Sequence, residues 1–443
     1  MNMSPVSRPR LRATLIAMML GVAGATQAQL RLPGPSALPT LPLDLPRAPV
    51  LLPASPLPGT LQTLRRDTVN ALLRQHPELV EADPAGEPIR RQELLLVSPS
   101  PTELAAVSAA GFTLLREQAL PELGLRQLAL RPPAGLGTAE ALTRLRTLAP
   151  QAEADFNHLY TGSGNNGSHV DGGTASPPPS PALPMDANGP RRIGLVDGGV
   201  DSAHPALRRA TLRPWGCDGH PVASPHGTAV ASLLVGRDGV FAGALPGATL
   251  YTADIYCGQP AGGAADTLAA ALAWLAREQV AVVNLSLVGP PNRLLARAVQ
   301  ALQQRGHLIV AAVGNDGPAA PPLYPAAYAG VVGVTGVTPA RRVLPEAAQG
   351  PQVLLAAPGA DAVAAGLDGR YVTVRGTSFA APLVAGLLAQ ALAVPDPAVA
   401  AAALARVIAQ AIDLGAPGRD PVFGAGLVAE GSRIAPERWQ ARR

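Results

Sequence analysis

Apolar and polar positions alternate along this chain in two folded blocks separated by segments that cannot pack. In the first block the spacing predicts strands over 92–97 (QELLLV), 112–116, 124–131 with period two, and 152–156. It also predicts helices over 101–110, opened by Ser100, and over 138–148. The second block, from 191 onward, carries β-branched runs at 193–196, 250–255, 280–285, 308–312, 331–334 and 353–356, each apolar on both faces. Strands of that kind belong to a parallel sheet covered by helices on both sides. Alanine- and leucine-rich stretches at 227–235, 264–278, 293–305 and 378–392 supply the helices between them.

The first block, taken as 61–160, has the order β-α-β-β-α-β of a small α+β ferredoxin-like sheet with two helices on one face. The second, taken as 191–435, reads as α/β. Ligand sites in such folds lie beyond the carboxyl ends of the strands. Between the blocks, 161–190 begins GSGNNGS after Thr161 and turns Pro-rich, as a linker would. Ahead of the first block, 29–60 is a Pro-rich tether that favours extended polyproline backbone. Residues 1–28 have the form of a cleavable secretory signal: Arg8, Arg10 and Arg12 without an acid, a short apolar stretch, then small residues up to Ala28. That stretch is too short to span a bilayer, and no other apolar run in the chain is long enough. The expected location is therefore the periplasm or the extracellular space.

Composition then narrows the chemistry. All 35 basic residues are arginine, so Schiff-base lysines, Ser-Lys dyads and the lysine of a phosphate-binding loop are excluded. The net charge of +4 owes most of its excess to the three signal arginines. The remaining arginines form no cluster suited to nucleic acid, so no nucleic-acid partner is expected. Export to an oxidising compartment makes the two cysteines, Cys217 and Cys257, a candidate disulfide.

Four positions near strand ends and helix starts carry candidate chemistry. Asp197 follows the first strand in IGLVDGGVDSAHPAL, His226 opens a helix in SPHGTAVASLLVG, and Ser378 opens another in RGTSFAAPLVAGLLA. Asn315 follows LIVAAV in VGNDG. Attack by a hydroxyl needs a base to take its proton, a carboxylate to orient that base and donors for the developing oxyanion. Ser378, His226 and Asp197 match the first three needs; the Asn315 amide and the Ser378 backbone N–H match the last. Each residue alone also fits a loop or cap, and only their joint occurrence carries weight.

HGTxVA at 226–231 and GTSxAxP at 376–382, in the order Asp, His, Asn, Ser, make the second block similar to the subtilisin family of serine proteases. The resemblance implies a parallel seven-stranded sheet with helices on both faces and peptide-bond hydrolysis through an acyl-enzyme. It implies Ser378 as nucleophile, His226 as general base and then acid, Asp197 as orienting carboxylate and Asn315 as oxyanion donor. It implies substrate pairing along Ser286, Leu287 and Val288, an S1 wall at Ala312, Val313 and Gly314, and a structural role for His204 and Pro205. The first block is similar in topology to the family's propeptides, which implies an inhibitor held in cis, with 157–161 in the cleft until self-cleavage. Polypeptides are the implied partners; no cofactor and no metal are expected, and a monomer is. Where the family has Gly, Val288 and Ala326 should narrow S1 toward small side chains, and the short GRDGVFAG loop lacks the family's calcium-site insertion. The alternative is a catalytically silent binding module on the same fold.

Overall fold

The computed structural model describes residues 58–162, 165–170 and 191–440. The expected signal segment and nearly all of the expected tether lie outside them. The first described element is a helix that the sequence reading had not expected, α1 (Pro58–Gln75).

A five-stranded antiparallel sheet follows, built from β1 (Val80–Ala82), β2 (Pro88–Val97), β3 (Thr113–Leu120), β4 (Leu125–Arg131) and β5 (Glu153–His158), with α2 (Pro101–Ala109) and α3 (Thr138–Leu148). Its four long strands run β5-β2-β4-β3, the ferredoxin-like order, and β1 adds to the start of β2. Ser100 accepts from the Glu103 N–H while the Glu103 carboxylate takes the Ser100 N–H, a reciprocal cap that fixes where α2 starts. The apolar run in β2 is explained by two different contacts. Leu94 and Leu96 join Val107, Leu142 and Leu145 in the core of this domain. Leu95 and Val97 face the other way, into a core shared with the helices of the second domain.

Two short strands lie within the segment expected as linker: β6 (Thr161–Gly162) and β7 (Asn165–Val170). The second domain then begins with β8 (Arg192–Asp197), β9 (Thr211–Trp215) and α4 (Pro225–Val235). The short 236–243 loop forms a hairpin of β10 (Arg237–Asp238) and β11 (Phe241–Ala242). Next come β12 (Thr249–Asp254), α5 (Ala265–Arg277), β13 (Val282–Leu285), β14 (Leu287–Val288), α6 (Arg293–Gln304) and β15 (Leu308–Ala312). After them stand β16 (Val332–Val337), β17 (Val353–Pro358), β18 (Ala362–Ala365), β19 (Tyr371–Arg375), α7 (Thr377–Ala391), α8 (Pro397–Ala409) and α9 (Pro436–Gln440).

Seven strands form one parallel sheet in the order β17-β16-β15-β13-β8-β12-β9. One face packs on α4 and α7, the other on α5 and α6. All six strands expected for this block are in the sheet. The seventh, β9, escaped prediction because its sequence TLRPW is largely exposed at the sheet edge, where proline is tolerated.

Candidate active site

All four candidate residues lie at or just beyond carboxyl ends of sheet strands or at helix starts. Asp197 is the last residue of β8, next to the central strand β13. His226 sits in the first turn of α4, whose N-cap Ser224 accepts from the Gly227 N–H at 2.9 Å. This cap also sits against Gly198. A Cβ there would lie 2.4 Å from the Ser224 hydroxyl, so the cap occupies the space that a side chain would need. Gly227 is equally constrained: a Cβ on it would meet the Gly198 carbonyl oxygen at 2.2 Å. These two close approaches press the start of α4 against the Asp197 loop.

The imidazole Nδ1 of His226 lies 2.9 Å from both carboxylate oxygens of Asp197. Asp197 also accepts from the Gly198 N–H at 2.7 Å and is 3% exposed. Burial opposes a charge on the ring, but the Asp197 charge and hydrogen bond outweigh it, so the His226 pKa is raised. Ser378 is fully buried at the start of α7, and the next residue, Phe379, lies against the His226 ring with centroids 5.3 Å apart. The Ser378 Oγ and the His226 Nε2 are both buried without a hydrogen-bond partner among the described residues. Buried polar atoms left in this way are costly, and functional sites are where that cost is tolerated. Asn315 Oδ1 accepts from the Thr377 N–H at 3.1 Å, which fixes the amide beside Ser378.

The residues expected to form a substrate strand are tied to the start of α7 and to the N-terminal domain. Ser286 receives the Asn284 amide at 2.8 Å and donates to the Ser378 carbonyl at 2.8 Å, tying the strand to the start of α7. Leu287 and Val288 pair antiparallel with Gly162 and Thr161. Of the expected segment 157–161, Asn157 and His158 lie in β5, where the Asn157 amide is held between Glu93 and the Asp266 N–H, and Leu159 bridges to Ala264. Of the residues expected at an S1 wall, the Ala312 and Val313 side chains belong to the two cores on opposite faces of the sheet, and a Cβ on Gly314 would meet Leu323 at 2.7 Å. Ala326 is likewise a core residue, and the side chain found against Gly314 together with Val288 is Leu323. Nothing in the local sequence marked Leu323, since its approach depends on how the 314–330 loop folds back.

Cys217 and Cys257 form a disulfide across 40 residues of sequence. The Asp254 carboxylate braces the same loop, accepting from the Val222, Tyr256 and Cys257 N–H groups. These two sulfurs and Asp254 are the only close group of metal-ligand types among the described residues, and bonded sulfurs provide no thiolate. His204 is satisfied structurally, with Nε2 on the Arg370 carbonyl at 2.8 Å and Nδ1 receiving the Ala206 N–H.

A second cluster joins the two domains. Arg116 bonds Glu93 and reaches Asp266 at 2.8 Å, while Arg90 lies 3.6 Å from Glu93 and 3.7 Å from Asp266. Asp155 receives the Arg293 N–H at 2.8 Å at the start of α6, and Asn292 donates to the Phe156 carbonyl at 2.9 Å. From the extra helix α1, Arg65 bonds Glu87 and lies 3.8 Å from Asp316, the residue after Asn315.

The model of the Subtilase family matches residues 191–426. This chain belongs to the subtilase family. Among curated proteins it is 33% identical over 206 residues to the minor extracellular protease Epr of Bacillus subtilis, covering 46% of this chain and 32% of that one. It is 33% identical over 208 residues to subtilisin BL of Lederbergia lenta, covering 45% of this chain and 74% of that one. The chain thus spans about a third of Epr and about three quarters of subtilisin BL. Among solved structures, fervidolysin from Fervidobacterium pennivorans superposes with a TM-score of 0.61 at 18% identity, covering 80% of this chain and 62% of that one. That likeness concerns the fold, and it extends beyond the region matched by the family model. No helix among the described residues is long and apolar enough to cross a membrane.

Proposed function

We propose that this subtilase is an exported serine endopeptidase that matures by cutting its own chain. The observation that carries this reading is the paired geometry at His226. Its Nδ1 is shared by the Asp197 oxygens at 2.9 Å, while its Nε2 and the Ser378 Oγ are each buried without a hydrogen-bond partner among the described residues. On this reading the Ser378 Oγ attacks a peptide carbonyl and His226 takes its proton at Nε2. The resulting imidazolium is stabilised by Asp197. The oxyanion is received by the Asn315 amide and the Ser378 N–H, placed at the start of α7 where the helix dipole also favours negative charge. His226 then returns the proton to the leaving amine, and water releases the acyl group by the same route.

The N-terminal domain is the inhibitor in this account. It covers α5 and α6 with Leu95 and Val97 and delivers its own chain to Leu287 and Val288. Export follows from the signal-like residues 1–28, and polypeptides are the substrates. A fluorophosphonate probe tests the reading. A single adduct on Ser378, with casein hydrolysis lost in step, is the expected result. Labelling that survives Ser378→Ala, or casein hydrolysis that ignores the probe, would refute it.

A further inference from the structure

Helix α1 precedes the ferredoxin-like order and has no place in it, yet it reaches two separate parts of the second domain. Residues 159–162 run between those parts. On one flank Leu159 bridges to Ala264, and the Tyr160 N–H donates to the Gly263 carbonyl at 2.8 Å. On the other flank Thr161 and Gly162 pair with Val288 and Leu287. Asn315 and Asp316 belong to this second flank, because a Cβ on the preceding Gly314 would lie 3.6 Å from Val288 Cγ1.

The last turns of α1 hold the first flank. Leu72 and Leu73 pack on a buried cluster of Val80, Leu159 and Ala264, with Ala261 beside them. Two turns earlier, about 10 Å along the helix axis, Arg65 reaches the second flank, 3.8 Å from Asp316. The charge of Arg65 also acts on Tyr160, so the helix passes the segment that lies between the flanks.

Arg65 is the fastening point. Its Nη1 donates to Glu87 Oε1 at 3.1 Å, and its Nη2 bonds the other carboxylate oxygen. Glu87 is itself fixed by the turn joining β1 and β2: its N–H donates to Asp83 Oδ1 at 2.8 Å, and its carbonyl receives the Asp83 N–H. The Arg65 side chain is 12% exposed and that of Asp316 16%, so solvent screens the pair little. Burial and the Glu87 charge push the Asp316 pKa up, against the pull of Arg65 and Arg66. One guanidinium thus stands between two carboxylates that repel each other, Glu87 from the N-terminal domain and Asp316 from the second.

Resting on the endopeptidase reading above, with the N-terminal domain as inhibitor, we infer that α1 is a strap across the active-site face, a second inhibitory hold outside the ferredoxin-like domain, and that Arg65 between Glu87 and Asp316 is its latch. Inhibition then has two separable parts, and loss of the latch loosens the strap while the strand pairing at Leu287 and Val288 persists. Arg65→Ala is the costly way to open it, because both carboxylates stay in place, largely buried and without their shared cation. With Asp316→Asn already present, the same change strands only Glu87.

The test dilutes the self-processed complex of the full chain and follows the recovery of casein hydrolysis for wild type, Arg65→Ala, Asp316→Asn and the double variant, each scaled to its own limiting rate. Arg65 departs with the N-terminal domain, so wild type and Arg65→Ala release the same enzyme and reach the same limiting rate. Arg65→Ala is expected to raise the dissociation midpoint about 10-fold or more. Its effect in the Asp316→Asn background is expected to be smaller by about 3-fold or more. If Arg65→Ala yields no processed enzyme, Arg65→Gln, which keeps a donor toward Glu87 and removes the charge, is measured against the same two expectations. A midpoint within about 3-fold of wild type, or an equal effect in both backgrounds, which is the result if Arg65 acts on Glu87 alone, would overturn this inference alone. Absence of casein hydrolysis by the wild type at every dilution would overturn the endopeptidase reading with it.

Discussion

Replacing Asp266 with asparagine keeps the shape of a residue that joins the two domains and removes its charge. Asp266 is 7% exposed in the first turn of α5, on the catalytic side, and faces Arg116 at 2.8 Å and Arg90 at 3.7 Å, both from the N-terminal domain. Neutralising one member of a buried, hydrogen-bonded charge cluster costs about 2–5 kcal/mol. Here the lower end applies, about 2 kcal/mol, because the Arg116 side chain is 48% exposed and solvent screens it. The Asn157 contact to the Asp266 backbone N–H is retained, so the loss isolates the charge. A loss of this size is about a 30-fold weaker hold of the cleaved N-terminal domain on the enzyme. The assay dilutes self-processed complex and follows the recovery of proteolysis against concentration. Although burial would raise the Asp266 pKa, the charges of Arg90 and Arg116 and the hydrogen bonds from Arg116 and Asn157 bring it below the ordinary carboxylate value. Its contribution to docking is therefore present above that ordinary value and is lost as pH falls through the lowered one. A dissociation midpoint that moves less than about 3-fold in Asp266→Asn would refute this account of docking.

Three further outcomes follow from the geometry. Activity should be lost on the acid side through a group titrating above the ordinary histidine value, because Asp197 raises the His226 pKa and the base must be neutral; a kcat/KM profile flat through that range would contradict it. Asp197→Asn should lower kcat by about 10⁴-fold in a casein assay while leaving the fold intact by circular dichroism. Removing both cysteines opens a 40-residue loop and should cost up to about 4 kcal/mol, seen calorimetrically as a fall of about 5–8 °C in Tm when tested in a Ser378→Ala background.

Much of the architecture was legible because six of the seven sheet strands announce themselves by being apolar on both faces, and the four candidate residues because each stands in a short local motif. What was missed depends on contacts distant in sequence. The segment after Thr161 reads as a linker, yet its backbone pairs with Leu287 and Val288 regardless of side chain, and strand pairing of that kind leaves no compositional trace. Arg116 and Asp266 are 150 residues apart and each resembles an ordinary surface charge. Helix α1 begins within a proline-rich stretch, where Pro58 occupies a first-turn position that tolerates it.

The central claim is that Ser378, activated through His226 and Asp197, cuts peptide bonds, beginning with one in its own chain. Intact mass and amino-terminal sequencing of the full chain and of Ser378→Ala, expressed side by side, test it most directly. The account predicts a processed enzyme with a new terminus just beyond Gly162 in the first, and no such terminus in the second. The same cut in both chains, or in neither while the first shows no proteolysis, would contradict it.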